Sequence, residues 1–346
     1  VDRSRRMWGP RPARHRSRLP ARASQWQAGS GEAGGGILLR GRLLENHRSI
    51  GSTQVSNKPE DIPPEWEQLE LAGLSGTLMI VGPADVGKTT FSRYLFKRLC
   101  DLVPHVGYLD GDPGQSTLGP PGTMTLAVAE NKDNTFPPRG RMWRGFVGSV
   151  SPVGHMLAVL TCAARLVGAA REAGVQAVIF DTTGLVDPAR GGTYLKLAKI
   201  DLLRPAVLFA MQRQQELEAL LMPLRRSRRT QLVELSPSPA AQRRDVSVRK
   251  AHRAAQFGHY FTGASQLRVN WTQFAVLPAP RFNLHRLVAM EDAFGFTLGL
   301  GIVLQIDRRY RQVTLRSPLP SLDGVDAIRL GDLTVDPETF EDRHLP

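Results

Sequence analysis

Apolar and polar positions fall into two regimes along this chain. Over residues 1 to about 65, Arg, Gly, Ser and Pro dominate and apolar periodicity is almost absent, which predicts a disordered basic tail. From about residue 64 the texture becomes regular. Short apolar runs at 78–81, 106–109, 177–180, 207–210 and 232–235 predict buried strands. Between them, 89–101, 154–172, 191–202 and 214–222 predict helices; Phe91, Leu95 and Leu99 at i, i+4 and i+8 mark one apolar face. Strands alternating with helices predict a parallel sheet covered on both faces. After Gly263 short strand-like runs at 284–290, 297–306, 312–315 and 327–330 are split by Gly, Pro and Asp turns. The expected organisation is a tail over 1–65, an α/β domain over 66–263 and a small β-rich domain over 264–346.

The loop after the first strand carries the most specific chemistry. Gly82-Pro83-Ala84-Asp85-Val86-Gly87-Lys88-Thr89 satisfies every fixed position of a phosphate-binding P-loop, with Thr90 continuing into the helix. The glycines let backbone N–H groups curl around phosphate oxygens. Lys88 can reach the β- and γ-phosphates, and the Thr89 hydroxyl can ligate Mg²⁺. The helix N-terminus behind the loop adds its dipole to the anion site. The expected fold is therefore α/β, a P-loop NTPase-type parallel sheet with the C-terminal β-rich domain appended.

Two further strands end in carboxylates. One ends in Asp110-Gly111-Asp112-Pro113-Gly114-Gln115, and is expected beside the P-loop strand, where its carboxylates can bind Mg²⁺ or take a proton from an attacking hydroxyl. A plain surface turn is the competing reading. The other ends in Phe180-Asp181-Thr182-Thr183-Gly184, where Asp181 has the position of the usual Mg²⁺-water ligand. Asp181 to Gly184 also fits the D-x-x-G of GTPases. Guanine selectivity needs an Asn/Thr-Lys-x-Asp element, and Ala198-Lys199-Ile200-Asp201 lacks its leading residue, so a regulatory GTPase is disfavoured.

Charge adds one clue. The formal net charge of +13 is concentrated in residues 1–60, with twelve Lys/Arg against four Asp/Glu, and in 213–253, with ten against four. A near-neutral body with two basic segments suggests a polyanionic partner, although basic tails are often merely solvated. The second segment ends in Arg243-Arg244-Asp245-Val246-Ser247-Val248-Arg249-Lys250-Ala251-His252-Arg253. Arg249 and Arg253 are four apart and would project from one helix face. They could close over a nucleotide, or simply face solvent. Cys100 and Cys162 fall in apolar helix-like runs and read as core residues. The histidines lack ligand spacing. No apolar run approaches a membrane span, so no membrane partner is expected and a cytoplasmic location is. Eight arginines and one acid in the first thirty residues faintly resemble an organellar transit peptide, and an over-extended reading frame explains them equally well.

These motifs in this order resemble the polynucleotide 5′-hydroxyl kinase family. They are the P-loop with Asp85, then Asp110-x-Asp112-x-Gly114-Gln115, then Thr182-x-Gly184, then Arg249-x-x-x-Arg253 before Tyr260-Phe261-Thr262-Gly263. The likeness runs from about Gly76 to Gly263. It implies transfer of the γ-phosphate of ATP, with Mg²⁺, to the 5′-hydroxyl of RNA or single-stranded DNA. By that likeness Lys88 and Thr89 bind phosphate and metal, Asp112 is the general base, Asp110 supports the metal, and Arg249 and Arg253 form a lid. Gln115, Thr182 and Gly184 match segments that hold the substrate end. The family often has Trp where this chain has Leu185, which removes a stacking platform. A non-catalytic ATP-binding subunit of an RNA-processing assembly remains the alternative, and another P-loop enzyme a third reading.

Overall fold

The structure is a computed structural model, and it describes residues 62–238, 241 and 244–345. The expected tail lies almost wholly outside the described residues, as does Arg243.

Seven strands form the first sheet: β1 (Gly76–Val81), β2 (Val106–Gly111), β3 (Thr123–Ala129), β4 (Met142–Phe146), β5 (Ala177–Thr182), β6 (Val207–Met211) and β7 (Gln231–Leu235). Their order is β4-β3-β2-β5-β1-β6-β7. All five strands expected from apolar runs lie in its parallel part, and β3 and β4 extend it as an antiparallel edge. The strand beside β1 is β5, not β2 as expected; β2 lies one place further out. In this register Asp110 sits opposite Asp181, and Asp181 opposite Ile80. Three strand ends therefore deliver their loops to the same edge of the sheet.

Alternation along β1 explains how both faces are covered. Leu78 and Ile80 pack with Phe91, Leu95 and Leu99 of α2 (Lys88–Leu102) and with Trp66 of α1 (Pro64–Glu67). Met79 and Val81 face the opposite core, built from α3 (Met156–Glu172), α4 (Gly192–Leu203) and α5 (Glu218–Arg225). Successive side chains of a strand point to opposite faces, so one apolar run feeds both cores. Cys100 and Cys162 are buried in these cores and unpaired with each other.

The last helix, α6 (Val246–Tyr260), leads into a second sheet of β8 (Ser265–Asn270), β9 (Ala275–Leu277), β10 (Arg286–Glu291), β11 (Thr297–Asp307), β12 (Gln312–Ser317), β13 (Ala327–Val335) and β14 (Asp342–His344). The order is β14-β13-β10-β11-β12-β8, antiparallel throughout, with β9 added parallel to β13. Phe257 and Phe261 at the end of α6 and Phe146 of β4 share a core with Leu287, Leu300, Ile302 and Leu333 of this sheet. That core seats α6 on the second sheet. No helix among the described residues is long and apolar enough to cross a membrane.

Candidate active site

The loop between β1 and α2 has the backbone that its sequence requires. Gly87 takes φ +94°, the left-handed region where a side chain is strained, and immediately precedes α2. Val86 is buried beneath the loop, so the residues 82–87 offer mainly backbone to a ligand. Lys88 is buried and donates from Nζ to the Pro83 carbonyl at 2.6 Å. Burial draws its ammonium below the ordinary lysine value, while Asp181, Asp112 and Asp85 pull the other way. Thr89 and Thr90 lie half-buried on the first turn of α2. Gly82, Pro83, Ala84, Asp85, Val86, Gly87, Lys88, Thr89 and Thr90 thus form one loop and one helical turn.

Asp181 at the end of β5 meets that turn directly. Its Oδ2 accepts from Thr89 Oγ1 at 2.6 Å and from the Tyr108 hydroxyl at 3.2 Å. Burial raises its pKa, and the Thr89 bond and Lys88 offset part of the rise. A hydroxyl and a carboxylate converging beside a P-loop lysine make a hard-oxygen donor set suited to Mg²⁺. Among the described residues no group of three or more His, Cys, Asp or Glu forms a metal cluster.

The two carboxylates after β2 separate into different tasks. Asp110 is buried, and its Oδ2 accepts from Thr117 N at 2.6 Å, Leu118 N at 3.0 Å and Ser116 Oγ at 3.0 Å. Those bonds, all to Oδ2, fold the 112–118 loop around one oxygen of the carboxylate. Burial raises its pKa to about 6. Asp112 is only half-buried, and its Oδ1 accepts from Gly114 N at 2.9 Å and Gln115 N at 3.1 Å. It remains close enough to bias Lys88 and Asp181 electrostatically. Gln115 Nε2 donates to Gly114 O at 2.7 Å, while its Oε1 is buried with no partner. This leaves a buried acceptor near Asp112 whose hydrogen-bonding capacity the described residues do not use.

Thr182, expected near the substrate, is buried in β5, where its hydroxyl donates to Ile80 O at 2.6 Å and accepts from Lys196 Nζ at 2.6 Å, which supports the loop that follows. Gly184 does reach the site edge. A Cβ there would lie 2.7 Å from the Ala84 backbone, so only glycine permits this approach of the β5 loop to the P-loop. Lys196 also donates to Thr183 O at 2.6 Å. Both Lys196 and Lys199 of α4 are fully buried. Their spacing with Leu195, Ile200 and Leu203 puts them on the apolar stripe of the helix, a signal that could have marked them in advance. Burial lowers both pKa values, that of Lys199 to about 8. Lys199 Nζ has no hydrogen-bond partner and lies 4.8 Å from the Phe180 ring centroid.

The two lid candidates have different partners. From α6, Arg249 forms an ion pair with Asp85 of the P-loop, whose Oδ2 also accepts Arg244 N at 3.2 Å. Arg253 instead makes a bidentate pair with buried Asp342 of β14, at 2.7 and 3.0 Å. Of the two expected lid arginines, Arg249 therefore meets the P-loop here while Arg253 ties the helix to the second sheet, helped by Lys250–Glu341 at 2.8 Å. His252, between them, rests against the Ser116 backbone, and burial lowers its pKa. Arg213, after β6, donates to Asp85 O at 2.8 Å and to Ala241 O at 2.9 Å, binding the P-loop to the approach of α6. Neither His252 nor Arg213 has a sequence signal, because their partners lie in other segments.

The model of the mRNA cleavage and polyadenylation factor CLP1 P-loop family matches residues 82–263, more than half of the chain. The chain belongs to the CLP1 P-loop family. That span holds the P-loop, Asp110, Asp112, Gln115, Asp181, Thr182, Gly184, Lys196, Lys199, Arg249 and Arg253. Among curated relatives of this CLP1-family chain, the polyribonucleotide 5′-hydroxyl-kinase of Methanocaldococcus jannaschii is 27% identical over 199 residues, covering 58% of this chain and 54% of that protein. The polyribonucleotide 5′-hydroxyl-kinase of Thermococcus kodakarensis is 28% identical over 248 residues, covering 70% and 69%. The chain thus spans about half to two thirds of the length of these relatives. A chain of the solved wild-type Clp1p–Pcf11p complex superposes with a TM-score of 0.59 at 14% identity, covering 78% of this chain and 77% of that one. That likeness establishes the shared fold, a P-loop α/β sheet followed by a β domain.

Proposed function

We propose that this CLP1-family chain is a polynucleotide 5′-hydroxyl kinase, moving the γ-phosphoryl group of ATP to the 5′-hydroxyl of RNA or single-stranded DNA. The observation that supports it most is the Thr89–Asp181 contact beside Lys88, with Asp112 near enough to influence both charges. The kinase names of the archaeal relatives point the same way.

Phosphoryl transfer mainly requires alignment and charge neutralisation. The backbone N–H groups of residues 82–87 and the α2 N-terminus cradle the phosphates, and Lys88 turns from the Pro83 carbonyl to the β- and γ-oxygens. Thr89 and Asp181 would hold Mg²⁺, which supplies charge neutralisation at the phosphates when bound. Asp112 takes the proton of the 5′-hydroxyl as the new P–O bond forms and the bond to the ADP oxygen breaks. Gln115 and the Gly184 loop border the place where that hydroxyl enters. Arg249, released from Asp85, is the lid group able to meet charge developing on the transferred phosphoryl.

The deciding experiment is transfer of labelled γ-phosphate to matched 5′-hydroxyl RNA and DNA oligonucleotides, with Lys88→Ala as control. Label at the 5′ end, lost in the control, supports the kinase and reads its sugar preference. ATP binding without transfer to either substrate would replace it with the non-catalytic subunit.

A further inference from the structure

Away from the P-loop, the second sheet carries a basic and aromatic cluster without an assigned role. β8 leads directly from the lid helix to Asn270, and the next residues, Trp271–Gln273, form a 3-10 turn. The Asn270 side chain caps this turn by accepting from Thr272 N at 3.1 Å. Trp271 N–H donates to Arg311 O at 3.1 Å, which fastens the turn to the tip of the β11–β12 hairpin. That tip reads Arg308-Arg309-Tyr310-Arg311, and all four residues are exposed.

Trp271, Phe274, Val276, Pro280 and Arg311 line an open depression of about 440 Å³ beside the tip. The Trp271 ring is backed by Phe282, with centroids 5.3 Å apart, so it is held in place while one part stays accessible. Tyr310 is 61% exposed, and the Arg309 guanidinium lies 5.5 Å from its ring centroid. None of Arg308, Arg309 and Arg311 is ion-paired with a carboxylate of the described residues. The carboxylate of the tip, Asp307, accepts Tyr310 N at 3.0 Å. Trp271 packs partly against the core of the second sheet, which leaves the rest of the indole on the depression beside Arg311. Rings that accept any base face, next to unpaired guanidinium groups that attract phosphates, are the two parts of a single-strand binding surface.

We propose that the Trp271–Arg311 depression binds the single-stranded part of the polynucleotide, 3′ of the end that enters the P-loop site. The proposal rests on the kinase reading for the identity of that strand. Along the chain, Phe261–Ala264 and then the six residues of β8, itself about 20 Å of strand, lie between the lid helix and the patch. A trimer whose first nucleotide is held in the active site has only two nucleotides left to reach outward and falls short of that length, whereas a 20-mer does not.

The test uses the full chain, with Trp271→Ala, Trp271→Phe and the charge reversal Arg309→Glu/Arg311→Glu. KM and kcat are measured on 5′-hydroxyl oligonucleotides of 3 and 20 nucleotides, and binding of a fluorescent 20-mer is followed by anisotropy across a salt series. Trp271→Ala should raise KM for the 20-mer on the order of tenfold and leave the trimer unaffected, with Trp271→Phe restoring most of the loss. The reversal, at exposed positions that the fold does not need, should weaken 20-mer binding and flatten its salt dependence. Equal affinity of all variants for the 20-mer overturns the proposal and assigns the patch to another partner, such as an acidic protein surface. If the unaltered chain transfers no phosphate, the kinase reading fails by itself, and the anisotropy series still decides this one.

Discussion

Lys196 Nζ lies 2.6 Å from both Thr182 Oγ1 and Thr183 O, at the point where β5 hands over to the loop that touches the P-loop. Thr182 passes the connection on to Ile80 O, one residue before the end of β1. A single buried amine therefore ties two strand ends and the Gly184 loop together. Lys196→Met should leave that hydroxyl and carbonyl without their donor and lower stability by roughly 1–3 kcal/mol. Urea denaturation measures this, and an unchanged midpoint would remove Lys196 from the site's framework.

Lys199, three residues on, should behave oppositely. Its Nζ is buried without a hydrogen bond, so an apolar side chain of similar length removes a desolvation cost and little else. Lys199→Met should match or exceed the wild-type denaturation midpoint at pH 7. A fall as large as that of Lys196→Met would mean that Lys199 has an unrecognised partner.

The two lid arginines should separate in assays. Arg249→Ala is expected to lower kcat while thermal stability holds, because its partner Asp85 lies in the P-loop. Arg253→Ala leaves buried Asp342 unpaired and should lower stability by about 1–3 kcal/mol. Adding Asp342→Asn should recover part of that loss. Equal stability losses from the two single variants would contradict the division.

Lys88→Ala should reduce phosphoryl transfer by about a hundredfold or more, with the circular dichroism spectrum unchanged. Full activity in that variant would end the assignment of this site.

Asp110 gives the site a pH signature. Burial raises its pKa from 3.8 to about 6, so the folded state holds the proton more tightly than the unfolded chain. Its contribution to stability is complete below about pH 4 and is lost as pH rises through about 6. Denaturation midpoints of wild type and Asp110→Asn, compared from pH 4 to 7, should show the wild-type advantage shrinking with pH. A constant difference over that range would mean that Asp110 titrates normally.

Much of the fold was legible because its signals are local. The runs at 78–81, 106–109 and 177–180 marked strands through uninterrupted burial, and the 89–101 and 154–172 periodicities lie within a residue or two of α2 and α3. β4 escaped notice because Met142-Trp143-Arg144-Gly145-Phe146 lies at a sheet edge and lacks a clean alternation. β8 and β14 did so for a similar reason: their residues are mostly exposed or polar.

By itself the sequence determined the P-loop, its flanking strand and helix, and the carboxylates that end β2 and β5. Those depend on neighbouring residues and on spacing, which a linear chain states outright. Only the tertiary structure decided that β5 lies between β1 and β2, that Asp110 folds a loop while Asp181 meets Thr89, and that Lys196 lies beneath the site. It also divided Arg249 from Arg253, because the partner of Arg253 is 89 positions away on another sheet. Spacing carries no information about which distant segment a buried charge will meet; the packing of two sheets around one helix does.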